Sequence, residues 1–475
     1  MHSASLESPR ILLAHSYYLA YDPKQTQKMR PYPPLATLIT ASVLRQHGYE
    51  VDLFDAMLAR GVEAFHSQVD AMHPSIVAIV EDNFNFLTKM CTLRMREAAL
   101  DMVASARAAG ARVVVNGSDA ADRPDLYLVA GADAVIPGDP EPAVLDLVAA
   151  WTGSNGLKAE AVPGIIIAAP QNGETRRTAP RPALDDLDHL PFPAWDLLDA
   201  GSYRRAWTAA HGRLSWNMAT SRGCPYRCNW CAKPLFGKRY AQRSPENVAG
   251  ELDELRHAIA PDHVWFADDI FGLTPAWIEA FARAVSARGA RTPFTMQSRA
   301  NLMKPRAVAA LAEAGAEEVW LGVESGSQQI LNAMDKGTTV AQVREATREL
   351  RRHGIRCGWF IQLGYRGEQW PDLVATRNLV RDEWPDDIGV SVSYPLPGTK
   401  FYEQVRTELG RKTNWADSDD LAMMFRGTYV TEFYKRVRDL LHTEVRARQA
   451  RDAEWDALER HEPDSRSPAG YPAPP

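Results

Sequence analysis

Cys224, Cys228 and Cys231 fall within eight residues of one another, in the run Thr-Ser-Arg-Gly-Cys-Pro-Tyr-Arg-Cys-Asn-Trp-Cys-Ala-Lys over residues 220–233. They are three of the chain's five cysteines. Three thiolates on one loop, spaced CxxxCxxC, suit a four-iron four-sulfur cluster that leaves one iron without a protein ligand. Such an iron can bind a small chelating molecule and cleave it reductively. A structural zinc site closes with four ligands, and no second CxxC or HxxxH lies nearby to supply the rest. A disulfide set would leave an odd thiol and needs an oxidising compartment. Cys91, in a helical pattern, and Cys357, at the opening of an apolar strand, stand alone and read as buried, inert thiols.

A loop of this kind needs rigid elements to hold it. The chain has 475 residues, enough for two or three domains with substantial cores. A formal charge of -6 without a basic stripe argues against nucleic acid as a partner. No run of 18 or more apolar residues is present, so no membrane span is expected. Residues 1–10 lack a charged-then-apolar export pattern. With few cysteines, this points to the reducing cytoplasm.

Residues 1–150 alternate short apolar runs with helical patterns. Strands are expected at Ile11–His15, Val51–Phe54, Ile76–Val80, Arg112–Asn116 and Ala134–Ile136, where β-branched residues cluster. Helical patterns such as Leu35–Gln46 and Thr88–Ala109 separate them, with Gly48, Gly110 and Gly131 placed as helix-ending glycines. This alternation predicts a doubly wound parallel α/β sheet, whose ligands bind beyond the carboxyl ends of the strands. The loops there carry His15, Glu81-Asp-Asn-Phe-Asn85, Asn116-Gly-Ser-Asp119 and Pro137-Gly-Asp-Pro-Glu141.

Residues 151–210 are Pro-rich and read as an extended connector, with one strand-like stretch at 164–167. From 211 to 400 the alternation returns, with strands expected at Leu214–Ala219, His263–Phe266, Phe294–Gln297, Glu318–Gly322, Arg356–Leu363 and Ile388–Val392. Six strand–helix units predict a partial, open (β/α)6 barrel with its chemistry at the carboxyl ends. The cysteine loop follows the first of these strands. Residues 401–460 read as a C-terminal helical element, and 461–475, polar and Pro-rich, as a disordered tail.

The cysteine spacing, with aromatic Trp230 just before the last cysteine, resembles the radical S-adenosylmethionine (SAM) superfamily. The loops of residues 1–150 resemble the cobalamin-binding domain that precedes the radical SAM domain in one large subfamily. There the fourth and fifth loops usually read Gly-Gly and Gly-Glu-x-Glu; here they are Gly117-Ser118 and Gly138-Asp-Pro-Glu141. The Asp-x-His-x-x-Gly motif, whose histidine coordinates cobalt, is absent, and His15 near its place reads as a strand-end histidine.

What the resemblance implies runs residue by residue. Cys224, Cys228 and Cys231 would hold the cluster, with Tyr226 and Trp230 beside the cofactors. Asp268 or Asp269 would accept from the SAM ammonium, or else cap the helix near Pro275. Arg299 would face the SAM carboxylate or the substrate, or else be a surface ion-pair partner. Glu324 and Ser325, in a Gly-x-Glu-Ser-Gly run, would meet the SAM amino acid or ribose. Asn83, Gly117, Ser118 and Gly138 would line the cobalamin. The fifth loop, Gly364-Tyr-Arg-Gly-Glu368, resembles the family's Gly-x-Pro-Gly-Glu turn with Tyr365-Arg366 replacing the usual residues, and the sixth, with Pro397-Gly-Thr399, resembles a Pro-Gly-Thr element of the cobalamin-linked members. The implied activity is SAM cleavage to a 5′-deoxyadenosyl radical and cobalamin-dependent methyl transfer to a carbon centre. The alternatives are a radical dehydratase, epimerase or cyclase, and a non-enzymatic metal scaffold. A small-molecule substrate and an external donor, flavodoxin or ferredoxin, are the implied partners.

Overall fold

Ile76–Val80 is Ile-Val-Ala-Ile-Val, and every one of its residues is buried. A strand apolar on both faces belongs in the middle of a parallel sheet covered by helices on each side. The computed structural model, which describes residues 9–84, 86–154, 156–169, 174–231 and 239–467, places it there. The first sheet contains β1 (Ile11–Ala14), β2 (Val51–Phe54), β3 (Ile76–Val80), β4 (Arg112–Asn116), β5 (Ala134–Ile136), β6 (Ile166–Ala168) and β7 (Thr175–Arg177), in the order β2-β1-β3-β4-β5-β6-β7. β1 to β5 are parallel throughout. The order reverses at β1 and β3, and a doubly wound sheet opens its ligand crevice at such a reversal.

Two expectations for this half need correction. The connector is not wholly extended: β6 pairs antiparallel with β5, and β7 pairs antiparallel with β6. Ile165, Ile166 and Ile167 are buried, so apolar burial draws part of the Pro-rich stretch into the sheet. A helix then runs over Ala200–His211, capped by Asp199, which accepts from Ser202 N–H. Second, the helix expected over Thr88–Ala109 is broken. Short Phe86–Met90 and long Leu93–Ala108 flank Cys91, whose φ is +44°. A left-handed residue ends a helical hydrogen-bond ladder, so Cys91 occupies a kink and not a helix.

The second sheet is built from β8 (Ser215–Met218), β11 (His263–Phe266), β12 (Phe294–Ser298), β13 (Ala316–Glu324), β14 (Arg356–Leu363) and β15 (Asp387–Val392). Its order is β15-β14-β13-β12-β11-β8, all parallel, which is the expected six-stranded open barrel. Helices between the strands start cleanly. Ser244, Thr274 and Thr339 each accept from the backbone N–H three residues on, and Thr339 forms a capping box with Gln342. Inside the barrel Trp320 stacks on Phe360 at 4.9 Å. Gly358 makes room for it, since a Cβ there would lie 2.5 Å from the indole. A two-stranded pair that the sequence reading missed, β9 (Ser221–Gly223) and β10 (Tyr240–Gln242), brackets the cysteine loop.

The two sheets meet by their carboxyl-end loops. Pro31–Pro33, after β1, lies along β8. Asn217 Nδ2 donates to Pro33 O at 2.9 Å, and Tyr32 packs on Trp265 at 4.7 Å and on Trp207 at 5.1 Å. Each such aromatic pair adds about 0.5–1.5 kcal/mol beyond burial. The long helix Thr431–Ala447 packs against β15. Residues 461–467 are ordered, correcting the expected tail. Ser467 N–H donates to Thr428 O, and Tyr429 OH donates to Glu462 at 2.6 Å; residues 468–475 of that tail lie outside the described residues. Among the described residues no helix is long and apolar enough to cross a membrane.

Candidate active site

The cysteine loop leaves the carboxyl end of β8 and is anchored before its first thiol. Asp268, just beyond β11, takes the Thr220 N–H at 3.0 Å, the Thr220 hydroxyl at 2.9 Å and the Ser221 hydroxyl. It is 1% exposed, and burial pushes its carboxyl up to about 6 against the pull of those donors. Cys224 is buried, Cys228 and Cys231 are half-buried, and none of the three is in a disulfide. Asn229 fixes the middle of the loop. Its N–H donates to Met334 O, its amide donates to Ala333 O at 2.7 Å, and its carbonyl oxygen accepts from Phe401 N–H. Phe401 is in the first turn of Lys400–Val405, capped by Thr399, so the Pro-Gly-Thr element closes onto the cysteine loop.

Arg299, after β12, is buried and reaches into the loop. Its Nη1 donates to Cys228 Sγ at 3.3 Å, its Nη2 to Lys336 O, and its guanidinium lies 3.8 Å from the Tyr226 ring centroid. Arg299 is therefore no surface ion-pair partner. Glu324 closes β13 at a bulge, with φ +65°. A non-glycine residue there costs roughly 1–3 kcal/mol and is held only where its surroundings demand it. The demand is Lys336, whose Nζ lies 2.6 Å from Glu324 Oε1, both side chains 6% exposed.

Asp269 and Ser325 are engaged by other residues of the chain. Asp269 pairs with Lys89 of the N-terminal domain at 2.5 Å. Neither Asp268 nor Asp269 caps the Pro275 helix, because Thr274 does. The Ser325 hydroxyl is 3.3 Å from Thr376 Oγ1 and accepts from Ser327 N–H, so it braces the turn after β13. Trp230 packs against the core with its indole N–H unpartnered.

The expected N-terminal residues do come together at the carboxyl ends of β3, β4 and β5. Asn83 donates to Asn116 Oδ1 at 2.8 Å, Asn116 donates to Gly138 O at 2.9 Å, and Ser118 donates to Lys89 O at 2.7 Å. Gly117 lies against Glu81, where a Cβ would come within 2.8 Å of Cγ. Gly117 and Ser118 line a pocket with Ser16, Tyr17, Glu81 and Thr88. Buried polar atoms without partners gather in and beside it: Tyr17 OH, Asp82 Oδ1, Asn83 Oδ1 and Thr88 Oγ1. Burial pushes the Asp82 carboxyl up to about 7 and raises Glu81 as well. Unsatisfied donors and acceptors at a sheet's ligand-binding end are what a polar ligand would satisfy. His15 is turned away, its Nε2 2.9 Å from Asp55.

The sequence reading missed Lys336, Lys89, Arg222 and Tyr365. Tyr365 OH lies 2.9 Å from both Asn229 Oδ1 and Ala333 O. Each is a residue whose meaning lies in its partner. Among the described residues no group of three His, Cys, Asp or Glu side chains is placed to hold a metal ion; residues 232–238, directly after Cys231, lie outside them. The donor set fits a cluster nonetheless: three cysteines outside any disulfide spread along one loop, one of them contacted by a guanidinium.

A family model described as the radical SAM superfamily matches residues 218–380. That stretch, about a third of the chain, is similar to the superfamily. The chain is 29% identical over 349 residues to an uncharacterized methyltransferase of Pyrococcus horikoshii, across 69% of this chain and 73% of the relative. It is 26% identical over 282 residues to the anaerobic magnesium-protoporphyrin IX monomethyl ester cyclase of Cereibacter sphaeroides, across 58% of this chain and 45% of the cyclase, so it spans less than half of that relative. Its fold matches the radical SAM methyltransferase TsrM from Kitasatospora setae, a structure with cobalamin and an iron–sulfur cluster bound. The TM-score is 0.69 at 20% identity, across 84% of this chain and 75% of that one. The match is longer than either half of this chain, so it takes in both sheets.

Proposed function

We propose that this protein is a cobalamin-dependent radical SAM methyltransferase acting on a carbon centre of a small organic molecule. The observation that carries the reading is the meeting of two carboxyl-end faces. Three cysteines outside any disulfide stand on one, and a pocket with unpartnered polar atoms opens on the other. A reduced four-iron cluster on Cys224, Cys228 and Cys231 would supply one electron to SAM, and cobalamin would supply the methyl carrier.

The chain's own residues do the positioning. Asp268 holds the loop at its root and Asn229 at its middle, and Arg299 donates to Cys228 Sγ. Glu324 with Lys336 presents an ion pair at the mouth of the barrel, where an amino-acid moiety carries the matching charges. Asn83, Gly117, Ser118 and Gly138 line the cobalamin side. Burial of the site keeps water from reactive species. The electron comes from a flavodoxin or ferredoxin in the cytoplasm.

The test is full-length protein purified without oxygen from cobalamin-supplied cells and assayed with SAM and a strong reductant. Near-stoichiometric cobalamin and iron are expected in the wild type. Cys228→Ala should keep the cobalamin and lose both the cluster absorbance and 5′-deoxyadenosine formation. Normal 5′-deoxyadenosine formation by that variant would refute the cluster assignment. A cluster-loaded wild type without cobalamin would refute methyl transfer by this route.

A further inference from the structure

Arg222 stands two residues before Cys224 and is 6% exposed. Its side chain does not enter the barrel. It crosses to the loop after β5, where Nη1 donates to Asp139 Oδ1 at 2.9 Å and to Glu141 Oε2 at 3.0 Å, and Nη2 donates to Glu141 Oε1 at 2.5 Å. The guanidinium also lies 5.7 Å from the Phe84 ring centroid, in the loop after β3. Asp139 and Glu141 are the two carboxylates of the altered loop Gly138-Asp-Pro-Glu141. Both are buried and face the cysteine loop.

The backbone on each side is rigid. Arg222 belongs to β9, paired in register with Ala241 of β10. Glu141 belongs to the first turn of helix Pro140–Trp151, and Asp139 also accepts from Leu184 N–H at 3.3 Å. An arginine fork spanning two carboxylates fixes direction as well as distance, which a lysine point charge does not. Together they form a stiff strut from the loop after β5 to the root of the cysteine loop.

We propose that Arg222 is a positioning residue that sets the separation between the cysteine loop and the N-terminal ligand face. This rests on the two-faced site proposed above. Radical cleavage of SAM needs only the barrel face, whereas methyl transfer out of SAM needs both faces at one spacing. A misplacement of about 1 Å can cost on the order of a hundredfold in rate. Severing the strut should therefore uncouple the two reactions rather than lower both.

The test uses the full-length, cluster-loaded protein with hydroxocobalamin, SAM and titanium(III) citrate. It follows 5′-deoxyadenosine and S-adenosylhomocysteine by mass spectrometry, together with amide hydrogen exchange. Removing Arg222 alone would strand two buried carboxylates and unfold the interface, so the main variant is the neutral triple Asp139→Asn/Glu141→Gln/Arg222→Met. S-adenosylhomocysteine formation should fall about tenfold or more while 5′-deoxyadenosine formation stays within about threefold. Exchange protection should drop at 138–142 and 219–224 and persist in the barrel strands. Arg222→Lys should restore part of the ratio. Equal loss of both products, or an unchanged ratio with unchanged protection, would overturn the proposal. If the wild type forms no S-adenosylhomocysteine, the methyltransferase reading fails by itself. The exchange result then decides whether the strut holds the loop.

Discussion

Replacing Asp268 with alanine separates an anchor from a ligand contact. In the structure its carboxyl group holds the Thr220 N–H and two hydroxyls at the root of the cysteine loop. Alanine orphans a buried backbone N–H, which costs about 1–3 kcal/mol, while the hydroxyls lose one partner each at about 0.5–1.5 kcal/mol. Against this stands the cost of keeping the carboxylate buried. The rise from 3.8 to about 6 corresponds to about 3 kcal/mol against the ionised form. The folded value is raised, so this contribution is fully present below pH 3.8 and is lost as pH climbs through 6. Asp268→Ala should therefore be destabilised by about 2–4 kcal/mol near pH 5 and by much less at pH 8. At pH 8 the loop is loosened even where the fold is nearly as stable, so iron retention should fall on anaerobic gel filtration. Denaturant unfolding at the two pH values and iron content after reconstitution are the measurements. Full iron content, pH-independent stability and a raised KM for SAM alone would refute the anchor and restore the direct SAM contact.

Removing one member of the buried Glu324–Lys336 pair, as in Lys336→Met, should cost about 3–5 kcal/mol by leaving a charge alone at a strained residue. Glu324→Gln/Lys336→Met should recover most of that in urea unfolding, and additive losses would mean the two side chains are not coupled. Glu368 is fully buried, accepts from Gly364 N–H at 2.7 Å, and burial pushes its carboxyl up to about 8. Its folded value being raised, its stabilising share is complete below pH 4.5 and fades as pH climbs through 8. Glu368→Gln should thus match the wild type at pH 5 and exceed it by several kcal/mol at pH 9; parallel Tm–pH curves for the two proteins would count against it.

The strands were legible because burial on both faces writes itself into composition. Val113-Val-Val115 and Ile76-Val-Ala-Ile-Val80 admit no other reading once helical patterns flank them. The pieces that escaped are short or lie where propensity and packing disagree. β9 and β10 have three residues each and exist through their pairing. β6 and β7 arise in a Pro-rich stretch because three isoleucines have a sheet edge to cover. The kink at Cys91 leaves no helix-breaking residue to read, since neither glycine nor proline stands there.

The site divides along the same line. Cysteine spacing is local, so the thiols could be named from eight consecutive letters. Carboxylates were harder, because an aspartate at a strand end has the same sequence signature whether it meets a ligand, a hydroxyl or a lysine. Asp268 turned inward to Thr220 and Ser221, and Asp269 turned to Lys89, 180 residues away in the chain. Arg222 shows this most sharply. It sits inside the most recognisable stretch of the sequence, yet its partners are 81 and 83 residues earlier. Their carboxylates stand in a loop that resembles a ligand-binding turn. A motif tells which atoms can do chemistry. Which of them are left free to do it depends on the charges that other elements bring within 3 Å, and those are set by the fold.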